Sequence, residues 1–257
     1  MDGAKAWRIT GTLAAVLLVF VAGVQTWSLV VRQQTSTTRP YDVTIHRLRL
    51  ETGSASVRVR AGQEGQVVVR ERLDWMVRKP VVSTTFTDDL LTVGMHCRMV
   101  LPAADFGCGA EIELEVPAGT EVTGAVTSGS VAVEGLSGAV RMQLTSGQLT
   151  LADTSGEVSA QTTSGLVQGT GLSARRVSAR TASGSVELFF SKPPHAVDVG
   201  AVSGSLTVGL PRGSHYAFST DIGSGSGQID PALSDTTSPD TVHAAVGSGS
   251  VAINPYP

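Results

Sequence analysis

The chain predicts an all-β fold: a single-stranded β-solenoid, or β-helix-like repeat domain, preceded by one N-terminal transmembrane helix. Three observations carry this. Ser-Gly returns every nine residues at Ser128-Gly129, Ser137-Gly138, Ser146-Gly147, Ser155-Gly156 and Ser164-Gly165, and Ser173-Ala174 keeps the beat. After each pair an alternating apolar pattern follows, as in Val131/Val133, Val140/Met142, Leu149/Leu151 and Val158/Ala160. Finally, the 23 residues from Ile9 to Val31 contain no charged side chain.

The charge-free run is long enough, at about 1.5 Å per helical residue, to cross a hydrocarbon layer of about 30 Å. Lys5 and Arg8 precede it, and Trp7 and Trp27 lie near its ends, where amphipathic rings favour the headgroup zone. The expected organisation is a short cytoplasmic N-terminus (1–8), a signal-anchor helix (9–31), a polar linker (32–40) and an extracytoplasmic repeat domain (41–257). The localisation that follows is the cell membrane, single-pass, with the C-terminal domain outside. Cleavage after Val21-Ala22-Gly23, which would release a secreted protein, is the alternative.

From Tyr41 to Thr120 the pattern is of the same kind without the strict period. Leu48-Arg49-Leu50 leads into a Ser/Gly corner at Gly53–Ser56 and the alternation of Val57 and Val59. Val67–Val69, Val81–Phe86, Leu90–Val93 and Ile112–Val116 are further strands. Cys97 and Cys108 are the only cysteines. In an exported chain they are expected to form a disulfide clipping the loop between them, a link worth about 3 kcal/mol on chain-entropy grounds. A metal site using His96, or two free thiols in a reducing compartment, are the competing readings.

In the regular block, period-two alternation sends one set of side chains inward and leaves Ala132, Arg141, Thr150, Ser159 and Gln168 facing out. Each nonamer is about one strand and one corner. The structural turn residues are Gly129, Gly138, Gly147, Gly156 and Gly165, where a missing Cβ permits positive φ. Units beginning with Thr127, Thr145 and Thr163 alternate with units beginning Gly135-Leu136 and Gly171-Leu172. That alternation predicts two faces per coil and about eighteen residues a turn. The beat continues with insertions at Ser183-Gly184, Ser203-Gly204, Ser226-Gly227 and Ser248-Gly249, and inserts such as Lys192-Pro193-Pro194 are expected as loops on one edge.

The tandem units Thr127-Ser128-Gly129-Ser130-Val131 and Thr145-Ser146-Gly147-Gln148-Leu149, alternating with Gly135-Leu136-Ser137-Gly138, resemble the bacterial putative-adhesin family, a β-strand repeat domain of unknown function. The likeness runs from about Val43 to the C-terminus. It implies a fold and a surface role, and it brings no catalytic residues with it.

The functional expectation is a non-catalytic envelope scaffold or adhesin-like contact module that meets another envelope protein or a surface glycan. No cofactor, metal or catalytic residue is assigned, and the sequence leaves the oligomeric state open. A carbohydrate-active β-helix enzyme is the first alternative, but it requires paired carboxylates. The acids of the regular block, Glu134, Asp153 and Glu157, fall at three different phases of the repeat. The ectodomain of a membrane signalling assembly is the second alternative, with only residues 1–8 left inside. A net charge of −3 without a basic patch gives nucleic acid no electrostatic driver. The turns lack the recurrent Asp of calcium-binding nonapeptide repeats.

Overall fold

A computed structural model describes residues 33–75, 79–96 and 108–257. The expected cytoplasmic segment (1–8), membrane span (9–31) and Cys97 lie outside the described residues. Among the described residues, no helix is long and apolar enough to cross a membrane. The described residues are all-β, with fourteen strands and one short 3-10 turn at Pro231–Leu233.

Seven strands form the coils: β8 (Glu121–Glu134), β9 (Val140–Ala152), β10 (Val158–Leu172), β11 (Arg176–Phe190), β12 (Ala196–Pro211), β13 (Ala217–Ile229) and β14 (Thr241–Tyr256). They pair in parallel, and each passes through one Ser-Gly pair near its middle without breaking. Ser128, Ser146, Ser164, Ser183, Ser203 and Ser248 therefore stand side by side, with Ser224 beside Ser248. At this first corner the strand bends from a front sheet to a back sheet. The intervening pairs form the second corner, where Ser137 N–H donates to Ala118 O at 2.7 Å, Ser155 N–H to Leu136 O at 2.9 Å and Ser173 N–H to Thr154 O at 3.0 Å. A coil thus consumes two nonamers: Val122 pairs with Val140, and Val140 with Val158, eighteen residues apart in each case.

The core lies between the two sheets. Val131, Val133, Val140, Met142, Leu149, Leu151, Val158 and Ala160 are all buried, as alternation requires. Extra residues enter at the second corner or beside it, where the β10–β11 ladder shifts register between Gly169 and Leu172, so Val158 pairs with Val177 and Val177 with Val197 while the Ser-Gly column stays in line.

Two details depart from the sequence reading. The corner pair of β13 is Ser224-Gly225, not Ser226-Gly227, because the register against Ser248-Gly249 is set two residues earlier. The last two strands are also transposed: the sheet order ends β12-β14-β13. The chain skips one position, lays down β13 at the edge and returns through residues 230–240 to fill the gap with β14.

Upstream, the sheets separate. β2 (Arg47–Thr52) and β3 (Ser56–Gly62) make one coil, pairing in parallel with the front and back arms of β8. β6 (Leu90–His96) adds to β2 and β7 (Cys108–Pro117) adds to β3, again in parallel. Three antiparallel strands finish this end: β5 (Val81–Thr87) on β6, β4 (Val67–Trp75) on β7 and β1 (Gln33–Tyr41) on β4. The segment 32–40 expected as a polar tether is therefore largely a strand. The free edge of β4 carries backbone groups that need partners, and a Thr/Ser-rich segment supplies them. Pro40 is tolerated because β1 is itself an edge.

Candidate functional site

Each coil contributes its outward residues to a column across the front sheet. One column runs Thr123, Arg141, Ser159, Ser178, Asp198, His243, and the next runs Ala125, Gln143, Gln161, Arg180, Gly200, Ala245. Small side chains in the middle of a column, with longer ones at its ends, produce troughs.

The first trough, of about 470 Å³, has Ser159, Ser178 and Ala196 low in its lining and Arg141, Arg176 and His243 among its taller residues. Two more follow the first corner. One, of about 360 Å³, is lined by Thr127, Thr145 and Thr163 with Gln143 and Gln161. The other, of about 530 Å³, is lined by Gly200, Ala201, Val202, Ala245 and Gly247. Val202 is 66% exposed, the most exposed large apolar residue among those described. The corner rim therefore changes along the stack from hydroxyl and amide to small and apolar.

Charges on this face are matched between neighbouring coils. Arg141 pairs with Glu121, Arg180 with Asp198, and Arg176 with Glu157 at 3.4 Å. These pairs are substantially exposed, so each contributes modestly to stability. Their effect is to leave the troughs without a strong net field.

The acids considered as catalytic candidates are not brought together. Glu134 lies on the back sheet with Arg60 at 2.8 Å and Arg58 at 3.6 Å. Asp153 sits at the second corner with a φ of 51°, and Glu157 pairs with Arg176 on the front. The structure does join His195 to Asp240 at 2.7 Å, 45 residues apart in sequence. No periodic signal announces that pair, because both residues lie in inserts at the second corner. It ties the long return segment before β14 to the loop before β12, helped by Thr241 N–H donating to His195 O at 3.0 Å.

The expected turn glycines fall into two columns. A Cβ built on Gly147 would lie on the Gly129 carbonyl, and one on Gly165 would lie on the Gly147 carbonyl. A Cβ on Gly129 would meet the Ala55 carbonyl. In the second column, Gly138 sits against Thr120 O and Gly156 against Gly138 O in the same way. Gly147 and Gly165 also have φ of 139° and 152°. Close approach of successive coils is thus common to both corners; of the five expected turn glycines only Gly147 and Gly165 have the positive φ, and Gly129, Gly138 and Gly156 do not. Cys108 begins β7 with its backbone opposite Trp75. Its expected partner Cys97 lies outside the described residues.

A family model described as Toastrack DUF4097 matches residues 45–255, and the chain belongs to that family. No curated protein matches the sequence significantly. Among solved structures, the chain is similar to a putative adhesin from Bacteroides fragilis, with 14% identity, a TM-score of 0.51, and coverage of 86% of this chain and 97% of that one. It is also similar to a putative cell adhesion protein from Clostridium sporogenes, with 10% identity, a TM-score of 0.40, and coverage of 87% and 100%. A putative adhesin from Parabacteroides merdae shares 12% identity at a TM-score of 0.36, over 88% and 97%. The Bacteroides fragilis match supports the fold.

Proposed function

We propose that this Toastrack-family chain is a non-catalytic contact module, held outside the cytoplasmic membrane by residues 9–31, that docks on an uncharged envelope component through its front face. The observation that carries the reading is the column register. Seven coils in line present the same outward positions at the strand spacing of about 4.8 Å, with small floors at Ser159 and Ser178. Such a surface suits an extended, repetitive ligand such as a surface glycan, because successive coils offer side chains at one regular spacing, polar throughout the column from Thr123 to His243. Internally matched ion pairs favour an uncharged ligand over a polyanion.

The test is co-sedimentation of the chain with purified bacterial envelope fragments. Ser159→Trp and Ser178→Trp together fill the first trough while pointing away from the core. Expected binding falls about tenfold or more, equivalent to at least ~1.4 kcal/mol. Undiminished binding by the double variant would overturn the assignment of this face. Protease added outside intact cells tests the topology: loss of the repeat domain supports it, and full protection sinks it. In that compartment Cys97 and Cys108 pair, and alkylation of the intact domain is expected to label no thiol. Two labelled thiols would contradict the pairing.

A further inference from the structure

The stack ends at β13. Among the described residues this 13-residue strand pairs only with β14; Tyr216 just before it bridges Ser234, and beyond that bridge the other edge is open. Long open edges normally carry lysine, proline or a bulge that discourages pairing. Here the strand reads Ala217 to Ile229 with Asp221 as its one charged residue and neither lysine nor proline. The core is open at this end too. Phe218, Thr220, Ile222, Gly227 and Ile229 pair with buried Val242, Ala244, Val246, Val251 and Ile253, which makes them the inward set of the last coil. Thr220 and Gly227 are nevertheless exposed.

We infer that β13 pairs with β13 of a second copy, antiparallel about a two-fold axis through the Ser224-Gly225 corner, giving a tip-to-tip dimer. The bent strand is suited to this. A two-fold axis along the bisector of the bend exchanges front and back arms, so both sheets and the core run on into the second copy. The bend also shifts the alternation: inward residues are even-numbered before the corner and odd-numbered after it. With Ser224 facing Gly225 of the second copy, Ile222 faces Gly227, Thr220 faces Ile229 and Asp221 faces Gln228. Inward residues thus meet inward residues and no like charges meet, while the space over Gly227 is filled by Ile222 of its own chain. Other exposed ends of the stack lack this self-complementarity, because β1 and β5 are separate strands at the opposite end. Two arms of about 20 Å with about 10 Å between sheets bury on the order of 400 Å² per copy, at the low end for specific pairing. The dimer is therefore reversible and concentration-dependent.

The test is sedimentation of the full chain in density-matched detergent from about 1 μM to about 1 mM. A monomer–dimer equilibrium is expected. Thr220→Lys puts an ammonium into the joined core and is expected to weaken the dimer at least ~10-fold, with an unchanged melting curve because Thr220 is exposed in the monomer. Gln228→Lys places a lysine opposite Asp221 twice per dimer and is expected to tighten association ~2- to 10-fold, more so at low salt. Should Thr220→Lys misfold, Gln228→Lys carries the test alone. A wild type that stays monomeric, capture of an unlike strand in place of a second copy, or insensitivity to these substitutions would overturn the proposal.

Discussion

The two ends of the stack keep their strands in register by different means. In the upstream block, outward columns on the back sheet alternate in sign from strand to strand: Arg70 and Arg72 on β4, Glu111, Glu113 and Glu115 on β7, Arg58 and Arg60 on β3, Glu134 on β8. Arg60 reaches both Glu113 and Glu134 at 2.8 Å, Arg70 reaches Glu115 at 2.6 Å, and Arg72 reaches Glu111 at 2.9 Å. A one-residue slip would turn these side chains inward. The downstream back sheet instead carries mostly small or uncharged side chains, with Glu187 the exception in its column and the Ser185 and Ser205 hydroxyls 2.8 Å apart, and its register is set by backbone packed on backbone at the glycine columns. Where coils repeat, identical corners can stack and need no side-chain code. Where strands are short and partly antiparallel, that device is absent and charge takes its place.

The largest expected effect is at the corner glycines. Gly147→Val is expected to cost roughly 3 kcal/mol or more, because its Cβ meets a carbonyl and its φ of 139° is strained for valine. Gly119→Ala is the control, since nothing lies within 4 Å of its added Cβ. Equal melting temperatures for the two variants would remove stacking as the register device. Leu151→Ala and Val59→Ala, one in each region and both fully buried, should cost about 2–4 and about 1–3 kcal/mol by denaturant titration, the second less because one carbon fewer is removed. A much smaller loss at Val59 would mean that the upstream block depends less on its core.

Charge removal should then discriminate the regions. Arg60→Met removes the cation shared by Glu113 and Glu134, which flank β3 on its two sides, and is expected to cost about 1 kcal/mol, shrinking as salt rises. Arg176→Met in the coils should cost less, because its single contact is 3.4 Å long and more exposed. The smallest effect is a local one with pH. The Arg47 guanidinium, through its hydrogen bond and its charge, holds the Asp89 carboxyl below the usual carboxylate range. A depressed folded value means that the contribution is present above the unfolded value of about 3.9 and is lost as pH falls through the folded one. Amide protection factors, corrected for intrinsic exchange, should fall at the start of β2 and β6 below about pH 4, and Asp89→Asn should abolish that pH dependence.

Much of the coil architecture was legible in residues. Thr127, Thr145 and Thr163 against Leu136 and Leu172 separated the two corners, and period-two alternation identified inward residues such as Met142 and Leu149, all without knowledge of contacts. The nonamer was less well read as a unit, because a strand that bends at glycine keeps its ladder through the corner. The Arg/Glu columns left a local trace, as Arg58/Arg60, Arg70/Arg72 and Glu111/Glu113/Glu115 alternate along their strands. Nothing local said that these segments adjoin. The troughs were invisible, since a floor at Ser159 and Ser178 exists only once coils nineteen residues apart are placed side by side.

The sequence by itself determined the all-β class, the two-faced coil and the identity of its interior, because strand periodicity and glycine stereochemistry act within a few residues of chain. Tertiary structure alone decided the insertion of β14 between β12 and β13, the pairing of β1 with β4, and the meeting of His195 with Asp240. Each of these depends on which backbone edge was left unpaired after the nearer strands had docked, and an edge is a property of the assembled sheet.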